Sequence, residues 1–168
     1  MRIRPETDAD RAAVADVNER AFGRLVEARL IEAVPASDRF VPDLSLVAEQ
    51  DGIVVGHVLV SYVDIEPGLR RVFQVAPLAV APSHQRGGIG TALMEEALRR
   101  LDSRGEPLVL VEGDPAYYRR FGFRRADVLG IDPPSGVPAQ YFMARRLGAY
   151  DPSLRGRAVY PEAFAEAS

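Results

Sequence analysis

The chain has 168 residues, 47% of them hydrophobic and 27% charged, with a net charge of −3 and no cysteine. That length suits one domain with a proper core, and the absence of cysteine excludes disulfides, thiolate metal sites and a cysteine nucleophile. Two histidines, His57 and His84, leave little for zinc, so no metal is expected. No basic block offers a surface to nucleic acid, and an acidic balance argues against such a partner. No run reaches the roughly 18 apolar residues of a membrane span, and Met1-Arg2-Ile3-Arg4-Pro5 lacks an apolar signal core. A soluble cytoplasmic protein with no membrane partner is the expectation.

Arg2-Ile3-Arg4 reads as a short first strand. Thr7-Asp8 then caps a helix whose apolar positions Ala13, Val14, Val17 and Phe22 recur at helical spacing, and Gly23 ends or bends it. Leu25, Val26, Ala28, Leu30 and Ile31 suggest a second helix, with a loop over residues 35–42 beyond it. Two β-rich runs, 45–49 and 53–60, flank Gln50-Asp51-Gly52, and Asp-Gly in that setting signals a hairpin. The second arm continues to Ile65, before a turn at Glu66-Pro67-Gly68. A central strand follows over residues 72–80. His57 lies mid-strand and reads as a satisfied structural histidine; His84 reads as a surface one.

From Val75 to Leu98 the chain reads as a buried strand, a glycine-rich loop and an amphipathic helix. Leu78, Val80 and their small neighbours form the strand, bounded by Pro82 and Ser83. Leu93, Ala97, Leu98 and Leu101 then repeat at helical spacing. Between them, Gln85-Arg86-Gly87-Gly88-Ile89-Gly90 offers backbone N–H groups at a helix N-terminus. Glycines let the backbone approach a ligand, the helix dipole favours an anion, and Arg86 adds a fixed positive charge. A phosphate or pyrophosphate is the natural occupant. There is no P-loop pattern, and the glycine spacing and position are not those of a dinucleotide fold.

Beyond the helix, Leu108-Val109-Leu110-Val111 is a fully apolar strand. A strand, helix, strand order of this length implies a parallel right-handed crossover, which places it beside residues 75–80. Pro115 suits the first turn of a short helix that Gly122 ends, and Phe123 begins the next strand. Residues 140–144 read as a last strand after the 133–138 loop. The domain spans residues 1–147, and the tail 148–168, with Val159, Tyr160 and Phe164, is expected to pack on it.

Gln85-x-x-Gly88-x-Gly90 between strand and helix resembles the coenzyme A pyrophosphate loop of the GNAT superfamily of N-acyltransferases. Tyr118-Arg119-Arg120-Phe121-Gly122-Phe123 resembles the same family's Tyr-x-x-x-Gly-Phe signature, and the order and separation of the two motifs reinforce each other. The chain is most similar to small bacterial-type members that carry Gly-Asp-Pro-x-Tyr-Tyr-x-x-Phe-Gly-Phe. The resemblance implies an α/β (α+β) fold: a mixed sheet of six or seven strands flanked by helices, with a V-shaped splay between two parallel central strands. It also implies acetyl-CoA as co-substrate. The pantetheine arm would pair with the backbone of Leu78, Ala79 and Val80, and the phosphates would lie against Gln85, Arg86, Gly87, Gly88, Ile89, Gly90 and Thr91. One departure is Val111, where many members carry an asparagine that contacts the cofactor.

Acetyl transfer needs a neutral amine to attack the thioester, an oxyanion to be stabilised and coenzyme A to leave. Tyr118 is placed by motif to protonate the leaving sulfur, since a phenol is neutral at pH 7 and has a proton to give. Tyr117 points to a different helix face. Glu27, Glu66, Glu112 and Asp114 are all open as the general base, alongside solvent. The implied acceptor is a primary amine of a small molecule or a protein, in a monomer or a homodimer. The other readings are a non-catalytic acyl-CoA-binding module and an aminoacyl-tRNA acetyltransferase, the last disfavoured by the acidic charge.

Overall fold

The computed structural model describes residues 1–23 and 30–165. Leu25, Val26 and Ala28 of the expected second helix, and the candidate base Glu27, lie outside them; residues 30–33 are helical. The chain forms two compact units. One comprises Met1–Ser61, Ala76–Leu98 and the residues from Glu162 on; the other comprises Tyr62–Val75 and Arg99–Pro161.

In the first unit, β1 (Arg2–Pro5), β2 (Ser45–Gln50) and the start of β3 (Ile53–Glu66) form an antiparallel ladder. The expected hairpin forms, with Gln50 ending β2 and Asp51 (φ 53°) and Gly52 (φ 78°) alone making its turn, both in the left-handed region that tight hairpins demand. Thr7 and Asp10 form a reciprocal cap on a 3-10 turn, and α1 (Arg11–Phe22) continues from it to Gly23, which ends the helix at φ 61°. Arg4 grips Asp10 at 2.7 Å and Glu49 at 2.8 Å. Its hydrogen bonds hold the Asp10 carboxyl well below the ordinary carboxylate range, against the opposing effect of burial.

The last stretch of β4 (Arg70–Val80) and α2 (Ile89–Ser103) also enter this unit. Ile89, Leu93, Met94, Ala97, Leu98 and Leu101 are buried while Glu95, Arg99 and Asp102 are exposed, so the expected face is inward. Gly56 on β3 lets the helix start settle directly on the strand. A Cβ there would stand 2.9 Å from the side chains of both Ile89 and Leu93. A further cluster gathers Leu30, Val34, Leu59 and Ala163, with Phe40 and Phe164 against it.

In the second unit, β4 and β5 (Leu108–Glu112) run parallel, Phe73, Gln74 and Val75 opposite Val109, Leu110 and Val111. The crossover places the ladder lower on β4 than the expected 75–80, and two residues beyond it Pro77 has no N–H to donate. Beyond β5 come α3 (Pro115–Tyr118), β6 (Arg124–Arg125), β7 (Ile131–Asp132), β8 (Phe142–Arg146) and β9 (Gly156–Val159). β8 pairs antiparallel with both β5 and β6, and β9 pairs with the end of β3 and with β7. A final short helix, α4 (Glu162–Ala165), belongs to the first unit.

The fold is therefore α+β and mixed, with nine strands among the described residues rather than six or seven. The additional pairing comes from short β7 and from β9, which lies in the stretch read as tail. Two expectations shift locally. Gln140 and Tyr141 form a 3-10 turn behind Pro138, so the strand starts at Phe142, and β9 follows it. The strand expected from Phe123 begins at Arg124, with Phe123 itself buried.

Candidate active site

The loop between β4 and α2 is built largely by its own backbone. Pro82–His84 make a 3-10 turn, and the Gln85 side-chain amide donates to the Val80 carbonyl at 3.0 Å, tying the loop back to the strand it left. That contact takes up the Val80 carbonyl. Arg86 (φ 67°) and Gly88 (φ 86°) both adopt left-handed backbone, which is costly for arginine and free for glycine. The first helical bond runs from the Ala92 N–H to the Gly88 carbonyl at 3.0 Å. The N–H groups of Gly88, Ile89, Gly90 and Thr91 consequently have no carbonyl one turn earlier to meet. Gln85 through Gly88 are exposed, Ile89 is buried beneath them, and Gly90 and Thr91 are half-buried. This is a loop that can solvate an anion with backbone dipoles, with Arg86 free to lean in. On β4, Leu78 and Val80 are half-buried and Ala79 is buried between them, facing the other side of the strand. All ten residues expected at the cofactor thus lie in the first unit, contiguous from strand to helix.

Tyr118 belongs to the second unit. Asp114 caps α3 by accepting from the Ala116 N–H at 2.9 Å, Pro115 opens the helix, and Gly122 at φ 85° closes the 3-10 turn that follows. Capping gives Asp114 a structural role. The Tyr118 ring packs edge-on against Tyr117 at 5.0 Å and Phe123 at 5.8 Å, and lies flat over Gly113. A Cβ at Gly113 would fall inside van der Waals contact of that ring, 3.1 Å from Cδ2 and closer still to Cε2. Burial, then the neighbouring Tyr117 and Asp114, push the Tyr118 phenol far above its ordinary value, so it stays protonated. Its hydroxyl makes no hydrogen bond among the described residues. Tyr117 instead lies under Arg120, 4.3 Å from the ring centroid.

Two residues important to this geometry were not singled out from the sequence. Gly113 makes room for the Tyr118 ring, and its place in Gly-Asp-Pro-x-Tyr-Tyr was the available signal. Gly56 seats the helix under the loop, and nothing local to it marks that role. Glu112, at the end of β5, accepts a hydrogen bond from Tyr160 at 2.7 Å, a residue 48 positions later. Glu66, another candidate base, ends β3 opposite Arg157.

His57 is a structural histidine in its contacts. It is 1% exposed, with Nδ1 3.1 Å from the Asn18 amide and Nε2 3.1 Å from Ser45 Oγ and 3.3 Å from Glu6. The Asn18 amide donates to both the Val14 carbonyl and Nδ1, so Nε2 carries the proton toward Ser45 and Glu6. Burial alone would raise the Glu6 carboxyl. The hydrogen bond and attraction of His57, helped by Ser45, outweigh it and hold the group below its ordinary value. His84 is half-buried beside the loop and meets Ser83 Oγ at 2.9 Å. No cluster of three or more metal-ligating side chains occurs among the described residues, and no helix there is long and apolar enough to cross a membrane.

The strand, anion loop, helix and parallel strand, followed by a short tyrosine-bearing helix, are the parts of an acyl-CoA-dependent N-acetyltransferase. The acetyltransferase (GNAT) domain family matches residues 2–126, and the chain belongs to that family. It is 31% identical over 156 residues to the uncharacterized N-acetyltransferase YjhQ of Escherichia coli K12, covering 88% of this chain and 85% of that one. The crystal structure of the E. coli GNAT family N-acetyltransferase YhbS in complex with CoA superposes with a TM-score of 0.90 at 30% identity, covering 98% and 91% of the two chains. A Brucella melitensis GNAT family acetyltransferase in complex with acetyl-CoA gives a TM-score of 0.79 at 33% identity, covering 97% of each.

Proposed function

We propose that this acetyltransferase moves an acetyl group from acetyl-CoA to a primary amine of a small molecule or protein, by direct attack, with Tyr118 as the general acid. The observation that carries the cofactor assignment is the Gln85–Thr91 loop, with its unpaired N–H groups and left-handed Gly88. The relatives crystallised with CoA and acetyl-CoA support it. Backbone groups of Leu78, Ala79 and Val80 would pair with the pantetheine amides; Val80 would contribute its N–H, since its carbonyl is held by Gln85. A backbone N–H directed at the thioester oxygen would stabilise the tetrahedral oxyanion, an interaction worth roughly 3–4 kcal/mol of barrier.

Tyr118 supports the acid role through its chemistry. Its proton is retained well above neutral pH and its hydroxyl has no competing partner among the described residues, so it can donate a hydrogen bond to the departing sulfur; the thiolate is the weaker base, and the proton transfer is completed as the phenolate takes a proton from the acylated amine. No metal enters the proposed reaction, because amine attack on a thioester needs only proton transfer and oxyanion stabilisation.

Coenzyme A should raise the melting temperature, because a ligand that binds only the folded state stabilises it by mass action. Gly88→Val places a β-branched residue at φ 86° and should weaken coenzyme A by about 10–100-fold, the equivalent of about 1–3 kcal/mol of backbone strain. No shift with the parent protein at millimolar coenzyme A would overturn the cofactor assignment.

A further inference from the structure

We infer that Glu112, held in place by Tyr160 and Gln74, receives the ammonium group of the acceptor and takes its first proton. This rests on the acetyltransferase reading and names the group that the sequence left open. The three residues come from β4, β5 and the turn after β9, all in the second unit. Gln74 sits opposite Leu110 in the parallel ladder, and strand alternation puts Glu112 on the same face of β5 as Leu110. Tyr160 brings its hydroxyl 2.7 Å from Glu112 Oε1 and 2.9 Å from Gln74 Nε2. A carboxylate can only accept, so the Tyr160 O–H points at Glu112 and its oxygen accepts from the Gln74 amide.

That direction fixes the Gln74 amide and leaves its Oε1 without a donor. Gln74 is 2% exposed, and this oxygen is buried with no partner among the described residues. Buried polar atoms are nearly always satisfied, so the orphaned oxygen at the inner end of this hydrogen-bond chain marks a place where a donor is missing. Glu112 itself is exposed, and its second oxygen has no partner among the described residues. A primary ammonium carries three N–H donors, and the exposed Glu112 oxygen is an unfilled acceptor for one of them. The next residue, Gly113, is the platform for the Tyr118 ring, so acceptor and proposed acid meet at one turn of the chain. Burial, and then the adjoining Glu112, keep the Tyr160 phenol protonated despite the opposing Gln74 contact, so it remains a donor to the carboxylate.

The proton balance closes. Glu112 takes one proton from the ammonium, and the freed amine attacks the thioester carbonyl. The C–N bond forms, the C–S bond breaks, and Tyr118 protonates the departing thiolate. The second amine proton restores the Tyr118 phenol, and Glu112 passes its proton to water. Glu112 touches the reacting nitrogen and is the catalytic residue; Tyr160 and Gln74 are positioning residues.

The test uses the full chain with acetyl-CoA and three amine probes, spermidine, tyramine and a lysine-bearing peptide, followed on the one acetylated fastest. Glu112→Gln should lower kcat/KM for the amine by about 10²-fold or more while coenzyme A affinity, read by calorimetry, stays unchanged. Tyr160→Phe should cost about 10-fold, the equivalent of one lost hydrogen bond to a charged group. Because Tyr160 acts through Glu112, the double variant should be no worse than Glu112→Gln alone. Glu112→Asp should restore part of the rate, which a purely structural role would not predict. Wild-type kcat/KM in Glu112→Gln, or a full additional Tyr160→Phe loss on top of it, would overturn the inference. A parent chain that neither binds coenzyme A nor acetylates any probe would overturn the acetyltransferase reading instead.

Discussion

The loop after β4 and the turn after β5 present polar groups by opposite means. At Gln85–Thr91 the groups are backbone N–H donors, aimed by two left-handed residues and a helix start, and only one side chain, Gln85, closes the loop. At Glu112–Tyr118 they are side-chain oxygens, and that of Glu112 is held by residues far away in the chain. Tyr160 reaches Glu112 across 48 positions and Gln74 across 86. A backbone site is robust to side-chain replacement and fragile to a change in φ; a side-chain site is the reverse.

The sharpest way to break this contrast is at Tyr118. Tyr118→Phe keeps the ring over Gly113 and removes only the hydroxyl, so coenzyme A affinity should hold while kcat falls by about 10²–10⁴-fold. Tyr117→Phe, on the neighbouring face, should change kcat far less. Steady-state kinetics at a pH where the amine is largely deprotonated would check both; an unchanged kcat in Tyr118→Phe with chemistry rate-limiting removes it from the mechanism.

Beneath the loop the expectation is purely one of packing. Leu93 is fully buried against Gly56, and Leu93→Ala should cost about 2–5 kcal/mol in denaturant unfolding. Exposed Glu95→Ala should stay within about 0.5 kcal/mol. Equal losses would mean that the helix does not carry the loop on its buried face.

A last effect depends on pH and concerns Asp10, which belongs to neither stretch. Its folded-state pKa is depressed by Arg4, so its contribution to stability is present above the unfolded carboxylate value of about 3.9 and is lost as pH falls below it. Asp10→Asn, already lacking that contribution, should lose less stability than the parent between about pH 4 and pH 2 in acid unfolding curves.

The contrast between the two regions also explains what the sequence disclosed. Gln85, Gly88 and Gly90 fall within six residues, and their spacing carries the backbone geometry directly; so do Asp51-Gly52 at the hairpin and Asp114-Pro115 at the helix start. The parallel ladder was legible as a strand, helix, strand unit, although its register, starting at Phe73, was not. Nothing near Glu112 announces Tyr160, because β9 becomes a strand only by pairing with the end of β3 and with β7. Gly56 was equally silent, since its importance lies in Ile89 and Leu93 more than thirty residues on. Local chemistry can be read along a chain; a contact made by tertiary pairing cannot.

The proposed reaction is acetyl transfer from acetyl-CoA to a primary amine. Its most direct measurement is thiol release from acetyl-CoA in the presence of the amine probes, with the amine identified by mass spectrometry. Amine-dependent thiol release, matched mole for mole by N-acetylated amine, is the expected result. Thiol release that is indifferent to added amine, with no acetylated product, would contradict it.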